Sequence, residues 1–127
     1  MGGELMKINV AGRPVPYKRT TQRQMFLDKG YQKYRNYKKI VQATAIQQRC
    51  KFLGNACLQV DVKVYLYGGG RYEMGLDADV DNYIKSALDS LNKIVYNDDR
   101  QVMAVTGQKL RARTKQDERM EIFINKL

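Results

Sequence analysis

Histidine and tryptophan are absent from the 127 residues, and cysteine occurs only as Cys50 and Cys57. Without an imidazole, proton transfer falls to carboxylates, lysine, tyrosine or water. Two thiols cannot complete a structural zinc site. Long apolar runs are missing as well: none approaches the roughly 20 residues that span a bilayer, and residues 1–7 lack the apolar stretch of a secretory signal. The expectation is a cytoplasmic chain with no membrane partner. Acid is scarce in the first part. Residues 1–55 hold 12 Lys and Arg against Glu4 and Asp28 alone, whereas residues 56–127 hold 11 of each sign, so the whole net charge of +10 lies in the first part. A one-sided positive field of this kind suits a polyanion, nucleic acid above all, although a merely soluble basic surface has the same composition.

No internal repeat, low-complexity stretch or linker is present, and the length suits one domain over residues 1–127. Residues 6–10 read as a short strand, closed by Gly12-Arg13-Pro14-Val15-Pro16. Beyond it lies a basic loop with Lys18, Arg19 and Arg23. Tyr34, Tyr37, Val41, Ala45 and Phe52 recur at helical spacing and predict a helix over 31–52, with Lys33, Lys38 and Lys39 on its other faces and Gly54-Asn55 as its stop. Residues 58–67 alternate with period two, as a half-buried strand does. Gly68-Gly69-Gly70 breaks that strand, and residues 68–76, like 11–24, are expected to be flexible. A second helix is predicted over 82–93 with Ile84, Ala87, Leu88 and Leu91 on its apolar stripe. Two strands near 101–113 and 119–125 follow, read as a late hairpin bearing Lys109, Arg111, Arg113 and Lys115. The order β-α-β-α-β-β predicts an α+β fold, a small mixed sheet with two helices packed on it.

Six of the nine aspartates fall between residues 77 and 99: Asp77, Asp79, Asp81, Asp89, Asp98 and Asp99. Crowded carboxylates repel unless a cation sits among them. Magnesium and manganese prefer oxygen ligands, and one or two carboxylates plus water and phosphate suffice to hold magnesium. Asp81 is placed to cap the second helix, and Lys85 and Asp89 follow on the same face. That face is compatible with a solvated salt-bridge ladder as well as with a catalytic role, and Asp98-Asp99 with an ordinary turn. Two familiar motifs fail. Asp77-x-Asp79-x-Asp81 continues with Asn82 where a calcium loop needs glycine and Leu88 where it needs glutamate, and no Gly-Lys-Ser/Thr follows the three glycines.

The stretch Asp79-Val80-Asp81-Asn82-x-x-Lys85-x-x-x-Asp89-x-Leu91, followed by Tyr96-Asn97-Asp98-Asp99-x-Gln101-Val102, resembles the RusA family of Holliday-junction resolvases. The family pattern is D-x-D-N-x-x-K, then D-A-L, an aromatic, D-D and Q-V. The likeness is strongest over these residues and looser upstream. Ser90 stands where alanine is common, and the step from Asp81 to the Asp-Asp pair is slightly shorter. Counted from Gln101-Val102, Asp99 matches the family's essential aspartate. The resemblance implies a two-fold homodimer acting on four-way DNA junctions in a bacterial or phage-infected cell. Magnesium or manganese would be held by Asp79, Asp81 and Asp99, Lys85 would be the further catalytic residue, and no small-molecule cofactor beyond the metal would be needed. Asp77, Asp89 and Asp98 are expected to support. Lys18, Arg19, Arg23, Lys33, Lys38 and Lys39 are the first candidate DNA surface, and Lys109, Arg111 and Arg113 the second. The competing readings are a non-catalytic nucleic-acid-binding protein with a structural metal site, and a metal-stabilised module of a larger assembly.

Overall fold

A computed structural model of the chain describes residues 5–68 and 78–127; Asp77, Gly69 and Gly70 lie outside the described residues. The elements are β1 (Leu5–Ala11), α1 (Lys29–Gln47), β2 (Leu58–Leu66), α2 (Val80–Leu91), β3 (Val102–Arg111) and β4 (Arg119–Lys126), with short 3₁₀ turns at Asp99–Gln101 and Lys115–Asp117. The strands form one mixed sheet in the order β1-β4-β2-β3. Among the described residues, two helices and a four-stranded mixed sheet give the expected α+β class.

The sequence between 101 and 125 does not make a hairpin. β4 inserts between β1 and β2, antiparallel to both, and β3 pairs parallel to β2 on the far side. The reason lies in burial. Met120, Ile122 and Ile124 on β4 are fully buried, as a central strand demands, whereas β3 exposes Met103 and Val105 and suits an edge. Parallel strands need a crossover, and α2 supplies the one between β2 and β3.

One face of the sheet carries the core. Ile8 and Val10, Val60, Val62 and Val64, and the three β4 residues meet Tyr37, Val41 and Ala45 of α1 and Tyr83, Ala87 and Leu91 of α2. α1 ends at Gln47, five residues short of the predicted boundary, and Phe52 is 55% exposed beyond it. The helix stops because Arg49 turns left-handed (φ 58°), letting the Cys50 N–H bond to Ala45 O at 3.0 Å. This closure normally uses glycine. α2 begins and ends two residues earlier than predicted. It buries Tyr83, Ser86, Ala87 and Ser90 as well as Leu91, while Ile84 and Leu88 are only half-buried. The small residues let α2 lie close, and Gly107 does the same from β3: a Cβ there would stand 2.5 Å from Ile84 Cδ1.

Candidate active site

Asp79 is the N-cap of α2, with extended backbone and no side-chain capping bond. Its carboxylate is therefore exposed and free of that duty, and Asp81, also exposed, sits in the first turn. The cap falls two residues before the one predicted. Partial positive charge from the unpaired N–H groups at this helix end favours both carboxylates. Lys85 follows one turn on, exposed, so Asp81 and Lys85 share a face.

Lys85 does not pair with Asp89, as the ladder reading would have it. Its ammonium lies 4.6 Å from the centre of the Tyr17 ring. Tyr17 is itself held from two sides: its N–H donates to Asn82 O of α2 at 2.9 Å, and its ring meets Tyr34 edge-on at 5.3 Å. The segment that delivers it is clamped further back. Arg13 forms an ion pair with the buried Glu118, whose carboxylate also accepts the Tyr67 N–H at 3.0 Å, and the Gly12 N–H reaches Glu118 O at 2.9 Å. Pro14 and Pro16 stiffen the span between the clamp and Tyr17.

Asp89 belongs to α1 instead. Tyr34 donates its hydroxyl to Asp89 Oδ2, and Lys38 Nζ stands 3.0 Å from the same oxygen. Burial first, then the hydrogen bond and charge of Asp89, push the Tyr34 hydroxyl far above its ordinary range. Lys38 is thus tied to α2, whereas Lys18, Arg19, Arg23, Lys33 and Lys39 are exposed. Lys18 and Lys33 line one hollow with Tyr83 of α2, so the first basic surface borders the helix that carries Asp79 and Asp81. Of the second surface, Lys109 donates to Ala78 O at 2.7 Å, immediately before Asp79. Arg111 and Arg113 lie farther on, beside Tyr65 and Arg119.

The acidic pair after α2 divides its labour. Asp98 Oδ1 accepts the Arg100 N–H at 2.8 Å, and Gln101 Oε1 accepts the Asp98 N–H at 2.9 Å, a reciprocal cap on the 3₁₀ turn. The Arg100 N–H holds the Asp98 carboxyl below its usual range. Asp99 takes no part in the cap. Burial, then the adjacent Asp98, raise its carboxyl, with Asp89 adding to the rise and Asn92 opposing it. The Asn92 contact puts Asp99 near the C-terminal end of α2, and Asn92 itself is about 16 Å along the helix axis from Asp81 at 1.5 Å per residue. Among the described residues no group of three Cys, Asp or Glu side chains could hold a metal ion. One chain by itself thus brings Asp79, Asp81 and Lys85 together and leaves Asp99 at the other end.

Sequence reasoning placed Tyr96 in the family motif and Tyr34 on the first helix, but missed that Tyr17 meets Lys85 and that Tyr34 meets Asp89. Tyr96 is fully buried and donates its hydroxyl to Leu88 O at 2.6 Å, satisfying a carbonyl near the end of α2. Its place as the aromatic before Asn97-Asp98-Asp99 was the signal for it; nothing local marks Tyr17 as the partner of Lys85. The sequence model of the family described as Endodeoxyribonuclease RusA matches residues 8–125, nearly the whole chain. No curated protein matches it. No helix among the described residues is long and apolar enough to cross a membrane.

Proposed function

The chain belongs to the RusA endodeoxyribonuclease family, and from that premise we propose that it is a magnesium- or manganese-dependent nuclease that resolves four-way DNA junctions by paired nicks. The observation that carries the reading is the exposed head of α2, where two carboxylates without capping duty and an ammonium share one surface beside a basic loop.

The donor chemistry fits a hard cation, because two carboxylates leave room for water and a phosphate oxygen. When bound, such an ion would polarise the scissile phosphate and make a water more acidic. The chain's own groups do the rest. Asp79 and Asp81 would hold the ion. Lys85, kept from the acids by the Tyr17 ring, offers its ammonium to charge that develops on phosphate in the transition state. Lys18, Arg19, Arg23, Lys33 and Lys39 meet flanking phosphates, while Lys109 steadies the backbone before Asp79 and Lys38 braces α2 through Asp89.

Asp99 joins this set from a second copy of the chain. In a two-fold homodimer whose α2 helices run antiparallel side by side, the head of one helix faces the tail of the other. Each site then holds Asp79, Asp81 and Lys85 of one subunit and Asp99 of the other, and two such sites address two opposed strands of a four-way junction. Asp98, whose carboxylate caps the 3₁₀ turn, is given the supporting role.

The test is cleavage of a four-way junction and of a linear duplex, each with and without magnesium. The account expects junction cleavage that needs the ion. Retained junction binding with no cleavage under any divalent metal would favour the non-catalytic reading.

A further inference from the structure

A hollow of about 630 Å³ runs along the outer edge of β1, away from Asp79, Asp81 and Lys85. β1 is an edge strand, so every second residue turns its N–H and C=O away from the sheet. Gln48 shows which residues these are. Its side-chain Oε1 accepts the Asn9 N–H at 3.0 Å and its Nε2 donates to Asn9 O at 2.7 Å. A primary amide thus fills the Asn9 position as one peptide unit of an added strand would. Lys7 and Leu5, two and four residues back, turn the same way, and both line the hollow. No described residue takes up their outward groups.

The opposite wall is Arg49, Cys50 and Lys51, with Lys126 closing one end, and among the described residues neither Asp nor Glu lines the space. The Lys7 ammonium stands 3.6 Å from Glu121 on the open face of the sheet, which leaves Arg49 and Lys126 as exposed positive charge at the rim. Leu5 is 61% exposed and gives the edge an apolar contact.

We propose that this edge binds an extended, acidic peptide segment of a partner protein, which adds to the sheet as a fifth strand beside β1. The alternation of donor and acceptor along Lys7 and Leu5 selects a peptide. A phosphodiester offers acceptors only and would leave the outward carbonyls unpaired, whereas an extended peptide pairs with both, and its acidic side chains meet Arg49 and Lys126. This surface is independent of the nuclease reading, since none of its residues belongs to that site.

The test titrates the full chain into a dye-labelled dodecapeptide that alternates Glu with Thr and Val, read by fluorescence anisotropy. Saturable binding is expected. It should weaken by about tenfold or more when alternate amide nitrogens of the peptide are methylated, the loss of one or two hydrogen bonds. Lys7→Pro should weaken it likewise, because it removes an outward N–H while sparing the ladder to β4. Arg49→Gly and Lys126→Gln together should weaken it severalfold with the circular dichroism unchanged; glycine suits the left-handed backbone at 49, and this pair decides the matter if Lys7→Pro does not fold. No saturable binding would overturn the proposal. So would equal affinity for the methylated peptide, or equal sensitivity of a twelve-nucleotide oligothymidylate to the same variants, which would make the hollow a polyanion surface.

Discussion

Tyr17 shields Lys85: the ring centre lies 4.6 Å from the ammonium, and the same residue's N–H is bonded to Asn82 on the preceding turn of α2. The contact ties the loop after β1 to the face of α2 that carries Asp81. A cation over an aromatic face gains roughly 0.5–2 kcal/mol, depending on exposure. Lys85→Ala should therefore abolish most cleavage while junction affinity changes little. Tyr17→Leu should lower kcat by about threefold to tenfold, and Tyr17→Phe, which keeps the ring, should restore it. Single-turnover rates measured beside junction affinity check this. Tyr17→Phe behaving like Tyr17→Leu would assign the effect to the hydroxyl instead.

Gly107 fixes how close α2 lies to β3. A Cβ at 107 would meet Ile84 Cδ1 at 2.5 Å, Ile84 Cγ1 at 2.7 Å and Val80 Cγ2 at 3.1 Å. Gly107→Val should destabilise the protein by about 1–3 kcal/mol through overpacking, seen as a lower urea midpoint. Because Val80 lies between Asp79 and Asp81, cleavage should fall more than the folded fraction does. Combining it with Ile84→Ala, which empties the space, should recover both.

Asp98 links the 3₁₀ turn to pH. Its carboxyl is held below the ordinary value by the Arg100 N–H and guanidinium, so its contribution to stability is present above the unfolded pKa and fades as pH falls through the folded one. Asp98→Ala should lower the thermal midpoint at pH 7, and the gap from the unmodified protein should narrow under acid conditions below the ordinary carboxylate range. A gap constant with pH would remove the carboxylate from the cap.

The basic loop should reveal itself through salt. Each phosphate neutralised by Lys or Arg releases counterions, so junction affinity should fall linearly on logarithmic axes with salt. Replacing Lys18, Arg19 and Arg23 together by Gln should flatten that slope by about 3. An unchanged slope would shift the DNA surface to Lys109, Arg111 and Arg113.

Local patterning made much of this legible. The alternation of residues 58–67 located β2, and the spacing of Tyr34, Tyr37, Val41 and Ala45 located α1, because both periods follow directly from burial on one face. The α1 boundary was misread because an arginine occupies the left-handed position where glycine is the usual signal. The place of β4 between β1 and β2 was invisible for another reason: sequence proximity favours a hairpin, and only the full burial of Met120, Ile122 and Ile124 decides otherwise. At the site, Asp79, Asp81 and Lys85 were legible through the resemblance to the RusA family, whereas their helical spacing by itself left a solvated salt-bridge ladder open. Their surroundings were not legible, since Tyr17 meets Lys85, and Tyr34 and Lys38 meet Asp89, across long stretches of chain.

The separation of Asp81 and Asp99 along α2 makes the central claim directly measurable. Asp81→Asn and Asp99→Asn should each abolish junction cleavage while leaving junction binding intact, since each deletes a metal-binding charge without changing shape. The two inactive variants are then mixed under conditions that exchange subunits. In a heterodimer, one site carries both lesions and the other carries none. If each site is shared between subunits, the mixture should regain about a quarter of the wild-type nicking, half the dimers being mixed and each holding one intact site. On a supercoiled cruciform the product should be nicked circles rather than linear DNA. A mixture that exchanges subunits, binds junctions and stays inactive would contradict the account and return Asp99 to the site of its own chain.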